Sequence, residues 1–198
     1  MNYIVPVEKE IDFSRAEKAM ISNYKWTEGY TPEAYAQLIC ILGKGFALRM
    51  TCKEENPKAL YTNYNDPVYK DSCMEFFASF NPESKLYMNF EMNSNGAFLS
   101  AVRTERANKT PIDKLAELPE VKAVHTADGW TVEVFFSNGF IGKTFGKDSF
   151  AIGDSFKGNF YKCGDETEIP HFGMWSPIES EKPDFHRPEF FGTFTIGE

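Results

Sequence analysis

Glu75 is the residue around which chemistry is expected. It follows the polar, aromatic stretch Asn63 to Asp71, which runs without a break into a strand beginning at Ser72. Successive strand side chains point to opposite faces. Met74, Phe76, Ala78 and Phe80 therefore share one face, and Glu75 takes the other, just past a loop carrying Tyr61, Tyr64 and Tyr69. A flat ring can stack on the apolar face of a sugar while a carboxylate accepts its hydroxyl protons. The plain alternative is a solvated strand glutamate. The next strand repeats the pattern, with Tyr87, Asn89 and Glu91 on its polar face, and a distant loop supplies His171 to Pro177, including Trp175. If these segments meet, Tyr69 and Trp175 form the walls of a groove and Glu75, Asn89 and Glu91 its hydrogen-bonding floor.

Other chemistries use the same residues. Glycoside hydrolysis needs two carboxyl groups at a set separation, one with a raised pKa. Glu75 with Glu91 or Glu133 could form such a pair, but three glutamates on polar sheet faces do not establish it, and solvated faces explain them more cheaply. Asn63, Asn65, Asp66 and Asp71 could offer oxygens to a structural calcium, but their spacing is not that of an EF-hand, and turn formation also accounts for them. His125, His171 and His186 stand too far apart in sequence to imply a zinc site. Cys40, Cys52, Cys73 and Cys163 show no paired spacing and read as buried free thiols.

The elements that would position these groups are short strands joined by turns. Hairpins are expected at Ala34 to Cys52 through Gly43-Lys44-Gly45 and at Val121 to Phe136 through Asp128-Gly129. Strands are expected over Ser72 to Phe80, Lys85 to Met92, Ala97 to Val102, Asn159 to Cys163 and Phe190 to Ile196, with Tyr3 to Val7 an edge strand. In the strand from Lys85, Leu86, Met88, Phe90 and Met92 face one way, as do Trp130, Val132, Val134 and Phe136 in theirs. A short helix, Arg15 to Met20, could start at Ser14, and a helical turn could form within Ile112 to Leu118. Ser137 to Ile152 reads as a glycine-rich loop, and Lys53 to Lys70 and Gly164 to Pro188 as two long loops. The pattern predicts one all-β domain over 1–198, an antiparallel β-sandwich or jelly roll with one or two short helices.

Composition fits a folded, β-rich chain: 42% hydrophobic, 25% charged, 16% aromatic, with 19 Phe among 198 residues. A net charge of −8 argues against nucleic acid and anionic membranes as partners, because phosphate binding needs clustered Lys and Arg. No apolar run approaches the about 18 residues of a spanning helix. The first residues lack the basic start and apolar core of a signal peptide, so the expectation is a cytoplasmic protein or a processed secreted form.

Six short motifs occur in order: Asp71 to Phe77, Tyr87 to Asn93 with Gly96, Asp128 to Val134, Gly158 to Lys162, Trp175-Ser176-Pro177, and Phe185 to Gly192. Together they resemble the family-9 carbohydrate-binding modules often attached to xylanases, and more closely the family-9-like domains of bacteria. The likeness spans roughly residues 30–196. It implies a β-sandwich that binds, without catalysis, the end of a glucan or xylan chain between two aromatic rings, with a glycoside hydrolase as the partner such modules serve. It places Tyr69 where relatives carry the first clamping tryptophan, Glu75 at the sugar-binding glutamate and Trp175 near the second clamp. Asn89 falls on the strand that supplies polar contacts, and Lys162 stands where many relatives carry Arg. No cofactor is implied beyond structural calcium. Tyrosine at the first clamp departs from the pattern and reduces the stacking area.

Overall fold

A computed structural model describes residues 1–197. Two sheets face each other. The larger contains β1 (Asn2–Pro6), β5 (Cys73–Ser79), β6 (Tyr87–Asn93), β7 (Phe98–Arg103), β8 (Lys109–Pro111), β11 (Ser155–Gly164), β12 (His171–Met174) and β13 (Gly192–Gly197). Its strands lie in the order β1-β13-β11-β5-β6-β7-β8, with β12 also paired to β11. The smaller contains β2 (Ala19–Ile21), β3 (Ala34–Ile41), β4 (Gly45–Cys52), β9 (Val121–His125) and β10 (Trp130–Ser137), in the order β2-β3-β4-β10-β9. This is the expected sandwich. Every pairing between named strands is antiparallel except β1 with β13, where the first strand runs alongside the last at the edge of the large sheet.

The period-two reading of the strands holds. Met74, Phe76 and Ala78 of β5, Met88, Phe90 and Met92 of β6, and Trp130, Val132, Val134 and Phe136 of β10 all enter one buried core between the sheets. Phe rings lock that core together. Phe76 stacks on Phe160 with centroids 5.0 Å apart and meets Phe80, Phe136 and Phe194 at their edges or at a tilt. Burying each such ring contributes about 1.5–3 kcal/mol.

Three local expectations fail, the first being the long loop Gly164 to Pro188, which contains β12 because residues 171–174 pair with β11. Residues 15–20 form no helix; Ala19 and Ile21 instead turn inward from the short strand β2. The one α-helix among the described residues, α1 (Asn138–Phe145), lies in the stretch read as a glycine-rich loop. Ser137 caps it by accepting from the Phe140 amide at 3.0 Å, Phe140, Ile141 and Phe145 bury, and Gly146 ends it at φ 72°. Gly139 and Gly142 mask this amphipathic pattern, since glycine weakens a helix by about 1 kcal/mol relative to alanine. At Ile112–Lys114 a single 3-10 turn forms, in the region where a helical turn was expected.

The outer face of the large sheet is also sealed. The chain after β12 folds back across it, so Phe77, Tyr87 and Tyr161 are buried under Met174, Ile178 and Phe191, with Trp26, Phe185 and Phe190 packed around them. The segment that makes this third layer leaves from Trp175. Gly192 touches that ring: a Cβ at Gly192 would lie 2.4 Å from Trp175 Cζ3 and 2.7 Å from Cη2. Gly192→Ala must displace a packed indole, and is expected to cost about 1–3 kcal/mol in urea unfolding; an unchanged midpoint would contradict this packing.

Candidate functional site

Between the outer face of the large sheet and its covering segment lies a cavity of about 520 Å³. Glu75 and Phe77 of β5, Glu91 of β6, Leu99 and Arg103 of β7, Lys109 of β8 and Cys163 of β11 supply its floor. Tyr69 and Phe172 line it from the loops and β12, and Asp184, Phe185 and His186 from the covering segment. The volume lies within the roughly 300–1,000 Å³ of small-ligand sites.

Strand register explains the floor. Glu75 pairs with Glu91 across β5 and β6, and with Tyr161 across β5 and β11, so these side chains share a face. Glu75 is not the solvated residue of the plain alternative: only 3% of it is exposed. Burial, with Cys163 and Glu91 close by, pushes its pKa well above the ordinary carboxylate value. The Cys163 thiol donates to Glu75 Oε1 at 3.0 Å. Burial also raises Glu91, to about 7, against the pull of its hydrogen bond from Asn89 and the charge of Arg103. Asn89 joins those two groups: its Nδ2 donates to Glu91 Oε1 at 2.9 Å, and its Oδ1 accepts from Arg103 Nε at 2.6 Å. Asn89 is wholly buried, so it orients Glu91 and Arg103 and does not itself line the cavity.

The covering segment adds aromatic surface. Phe185 stacks on Tyr161 with centroids 4.0 Å apart and planes 9° apart. His186 shares a 3.1 Å hydrogen bond with the Tyr87 hydroxyl. Burial, then the charge of Arg103, lowers His186 to about 3, so it is neutral at ordinary pH. Arg103, Phe172, Phe185 and His186 were not assigned to the binding site from the sequence. Arg103 was within reach of it: it shares the parity of Leu99 on β7, and thus the outer face.

Three expected site residues lie elsewhere. Trp175 is 4% exposed and belongs to the inter-sheet core, edge-on to Tyr3 at 6.3 Å and tilted against Phe160 and Phe194. Its amide donates to the Phe160 carbonyl at 2.9 Å, and its ring points to the side opposite Tyr161. It cannot stack on a ligand in the cavity. Lys162 pairs with Met74, so it too points inward, and it is fully buried. Its ammonium donates to His171 Nε2 at 2.6 Å and to the Cys163 carbonyl at 3.0 Å, and lies 3.5 Å from Glu54 Oε2. His171 is therefore a member of this interior cluster and not of the cavity. Burial pushes Glu54 upward, but Lys162 and the hydrogen bonds from Trp130 and Ser72 outweigh it and hold the carboxyl below its usual range. The cluster ties the Lys53 to Lys70 connection to β10, β11 and β12.

The proposed acid pair Glu75 and Glu133 is also excluded, because Glu133 lies on β10 of the other sheet, bound to Arg49 at 2.7 Å. Of the residues considered for calcium, the two aspartates brace loops. Asp66 Oδ2 accepts from the amides of Thr62 and Asn63, and Asp71 Oδ2 from the amides of Leu60 and Tyr61 and from Asn93. Asp71 Oδ1 is buried without a partner in the protein.

The sequence profile of carbohydrate-binding family 9 matches residues 6–196. The chain belongs to carbohydrate-binding family 9. Family 9 is a family of non-catalytic modules, so this member is not an enzyme. Solved structures agree in fold. A candidate carbohydrate-binding protein from Bacteroides uniformis superposes with a TM-score of 0.82 at 24% identity, covering 98% of each chain. A family-9 module from Caldicellulosiruptor kristjanssonii, in complex with cellotriose, gives a TM-score of 0.68 at 13% identity over 100% of this chain and 94% of that one. The glucose complex of a family-9 module from the same organism gives 0.68 at 12%, over 100% and 96%. No curated protein matches the chain.

The placement of Trp175 and His171 in this family-9 chain leads to two expectations. Trp175→Phe should lower stability by about 1–3 kcal/mol while leaving ligand affinity of the folded protein unchanged, since the ring only packs; a selective loss of affinity would restore the clamp. His171, lowered to about 4 mainly by burial and then by Lys162, stays neutral where the unfolded chain, titrating near 6.5, takes up a proton. Stability therefore falls as pH drops from about 6.5 toward 4, with His171 contributing on the order of 3 kcal/mol to that fall. His171→Gln removes this component, so the stability gap between wild type and variant should narrow across that window; a constant gap would refute the assignment.

Proposed function

We propose that this protein binds the end of a saccharide chain, of glucan or xylan type, in the cavity on the outer face of its large sheet. The observation that carries this reading is that Tyr69 and Glu75 line one cavity in a family-9 chain. Solved relatives of the same fold hold cellotriose and glucose. Tyr69 supplies a stacking face, with Phe172 and Phe185 as further rings on the cavity wall in the role first expected of Trp175. Glu75 and Glu91 accept hydrogen bonds from sugar hydroxyls, and Arg103 donates to ring or hydroxyl oxygens. Asn89 sets the last two. Sugar hydroxyls both donate and accept, so a floor of carboxyl groups beside a guanidinium can be satisfied in full by one ring.

Hydrolysis by Glu75 and Glu91 is not favoured. Retaining catalysis needs one ionised carboxylate beside one protonated acid. Here burial raises both groups together, and the family is non-catalytic.

Calorimetric titration with cello- and xylo-oligosaccharides tests the reading. Tyr69→Ala should weaken binding about 5–30-fold, the equivalent of about 1–2 kcal/mol of ring stacking. Glu75→Gln should weaken it by about 10-fold, because the amide nitrogen that replaces one carboxyl oxygen cannot accept. A chromogenic glycoside should not turn over with the wild-type protein. Absence of binding across a broad glycan array, or affinity indifferent to both substitutions, would end the proposal.

A further inference from the structure

Cys73 and Cys163 face each other across β5 and β11 as register partners. Their sulfurs and a Glu75 carboxylate oxygen all lie within 4.8 Å of one another, and all three side chains are buried. Among the described residues this is the one cluster of three or more His, Cys, Asp or Glu groups gathered so tightly. The sulfurs make only long contacts to backbone carbonyls, 3.8 Å from Cys73 to Met74 and 3.7 Å from Cys163 to Tyr69, besides the bond from Cys163 to Glu75. We propose that Cys73, Cys163 and Glu75 form a site for a thiophilic divalent cation such as Zn²⁺, set in the cavity floor with its remaining coordination position open to the cavity.

Tetrahedral zinc with sulfur and oxygen ligands holds those atoms roughly 3.6–3.8 Å apart, so sub-ångström to ångström adjustments suffice, with the Cys163–Glu75 pair opening from 3.0 Å. Binding forms two metal–sulfur bonds and one metal–oxygen bond. It releases two thiol protons to solvent, and a third from Glu75 where that carboxyl is protonated. Asp165 lines the same cavity, outside the tight cluster of three, so the fourth position is left to solvent or a ligand in the cavity. Burial raises the Cys73 thiol to about 12, and its neighbour Cys73, then burial, raises Cys163. Without a cation both stay protonated, which makes them poor nucleophiles; a bound metal ion supplies the charge that ionises them. The site stands whether or not the cavity above it takes sugar.

The test uses the full chain, reduced and stripped with a chelator, then titrated without oxygen. Cd²⁺ should give a thiolate-to-metal charge-transfer band saturating at one equivalent, and Zn²⁺ should compete for the same site in a chromophoric chelator assay. Cys163→Ser should abolish the band and weaken Zn²⁺ binding by more than the about 10–100-fold that losing a supporting contact costs. Glu75→Gln, which preserves shape, should keep the band but weaken Zn²⁺ about 10-fold or more. Cys40→Ser, altering a buried thiol of the other sheet, should change neither. No band in the reduced wild type would overturn the proposal. So would a band that survives Cys163→Ser, or Zn²⁺ affinity equal in wild type and Glu75→Gln. A Cys73–Cys163 disulfide whose reduction yields no metal uptake would overturn it too.

Discussion

Two carboxyl groups held side by side out of water govern the end of this molecule where the cavity lies. Glu75 and Glu91 are direct neighbours across two strands, and both are buried in the floor of the cavity beneath the chain after β12. Ionising both in such a place would bring two like charges together with little screening. The structure relieves this unevenly. Glu91 is given Asn89 and, through it, Arg103; Glu75 is given only a thiol. A carboxyl supported so lightly keeps unused capacity for a ligand, whether hydroxyl or cation. A carboxyl oriented by an amide that is itself held by a guanidinium keeps its geometry when the site is empty.

That difference depends on the covering segment. An antiparallel sheet in a sandwich ordinarily turns its outer face to water. Here the outer face carries Phe77, Tyr87 and Tyr161, all buried, beside the carboxyl groups. The covering chain satisfies its own polar groups locally, with the Ser176 amide bonded to Asn159 Oδ1 and the Asn159 amide to the Ser176 carbonyl, both at 2.8 Å. Trp175 anchors the start of that segment from the opposite side of the sheet. The indole thus supports the cavity from the core and not from the wall.

Period-two alternation made the inward faces of β5, β6 and β10 legible in the sequence, because each carries an unbroken apolar row. With those faces fixed, Glu75 and Glu91 had to point outward, and their meeting followed from the short turn between the strands. Alternation gave no such guide on β11, where Asn159, Phe160, Tyr161 and Lys162 mix polar and aromatic residues on both faces. There the chain places tyrosine outward and lysine inward, against simple polarity, and only long-range partners explain it: Glu54, from a loop distant in sequence, balances the charge of Lys162, and His171 of β12 accepts its hydrogen bond. Trp175 misled for a related reason. Tryptophan suits both a core and a sugar, and its role depends on the parity it inherits from β12, a strand hidden within an apparent loop. The gathering of Cys73, Cys163 and Glu75 was equally invisible, since register between β5 and β11 follows no spacing along the chain.

The main aromatic candidate keeps its place for reasons of backbone chemistry. Tyr69 lies in a 3-10 turn whose next residues are pinned, the Lys70 amide to Pro67 and the Asp71 amide to Val68. Its own carbonyl accepts from the Asp165 amide at 3.1 Å and lies 3.7 Å from the Cys163 sulfur, tying the loop to the far end of β11. Asp71, bonded through Oδ2 to two amides and Asn93, closes the loop behind it. A ring so fixed loses little backbone freedom when it meets a ligand, and each side chain that must be ordered on binding costs about 0.5–1.5 kcal/mol. Tyrosine offers less stacking area than tryptophan, and a preset loop offsets part of that loss. The same fastening bears on the cluster below it, because the thiol that contacts the Tyr69 carbonyl is the one that faces Glu75. Ring, carboxyl and sulfur are therefore joined mechanically, so a change of bond at Cys163 reaches the stacking face through one peptide group.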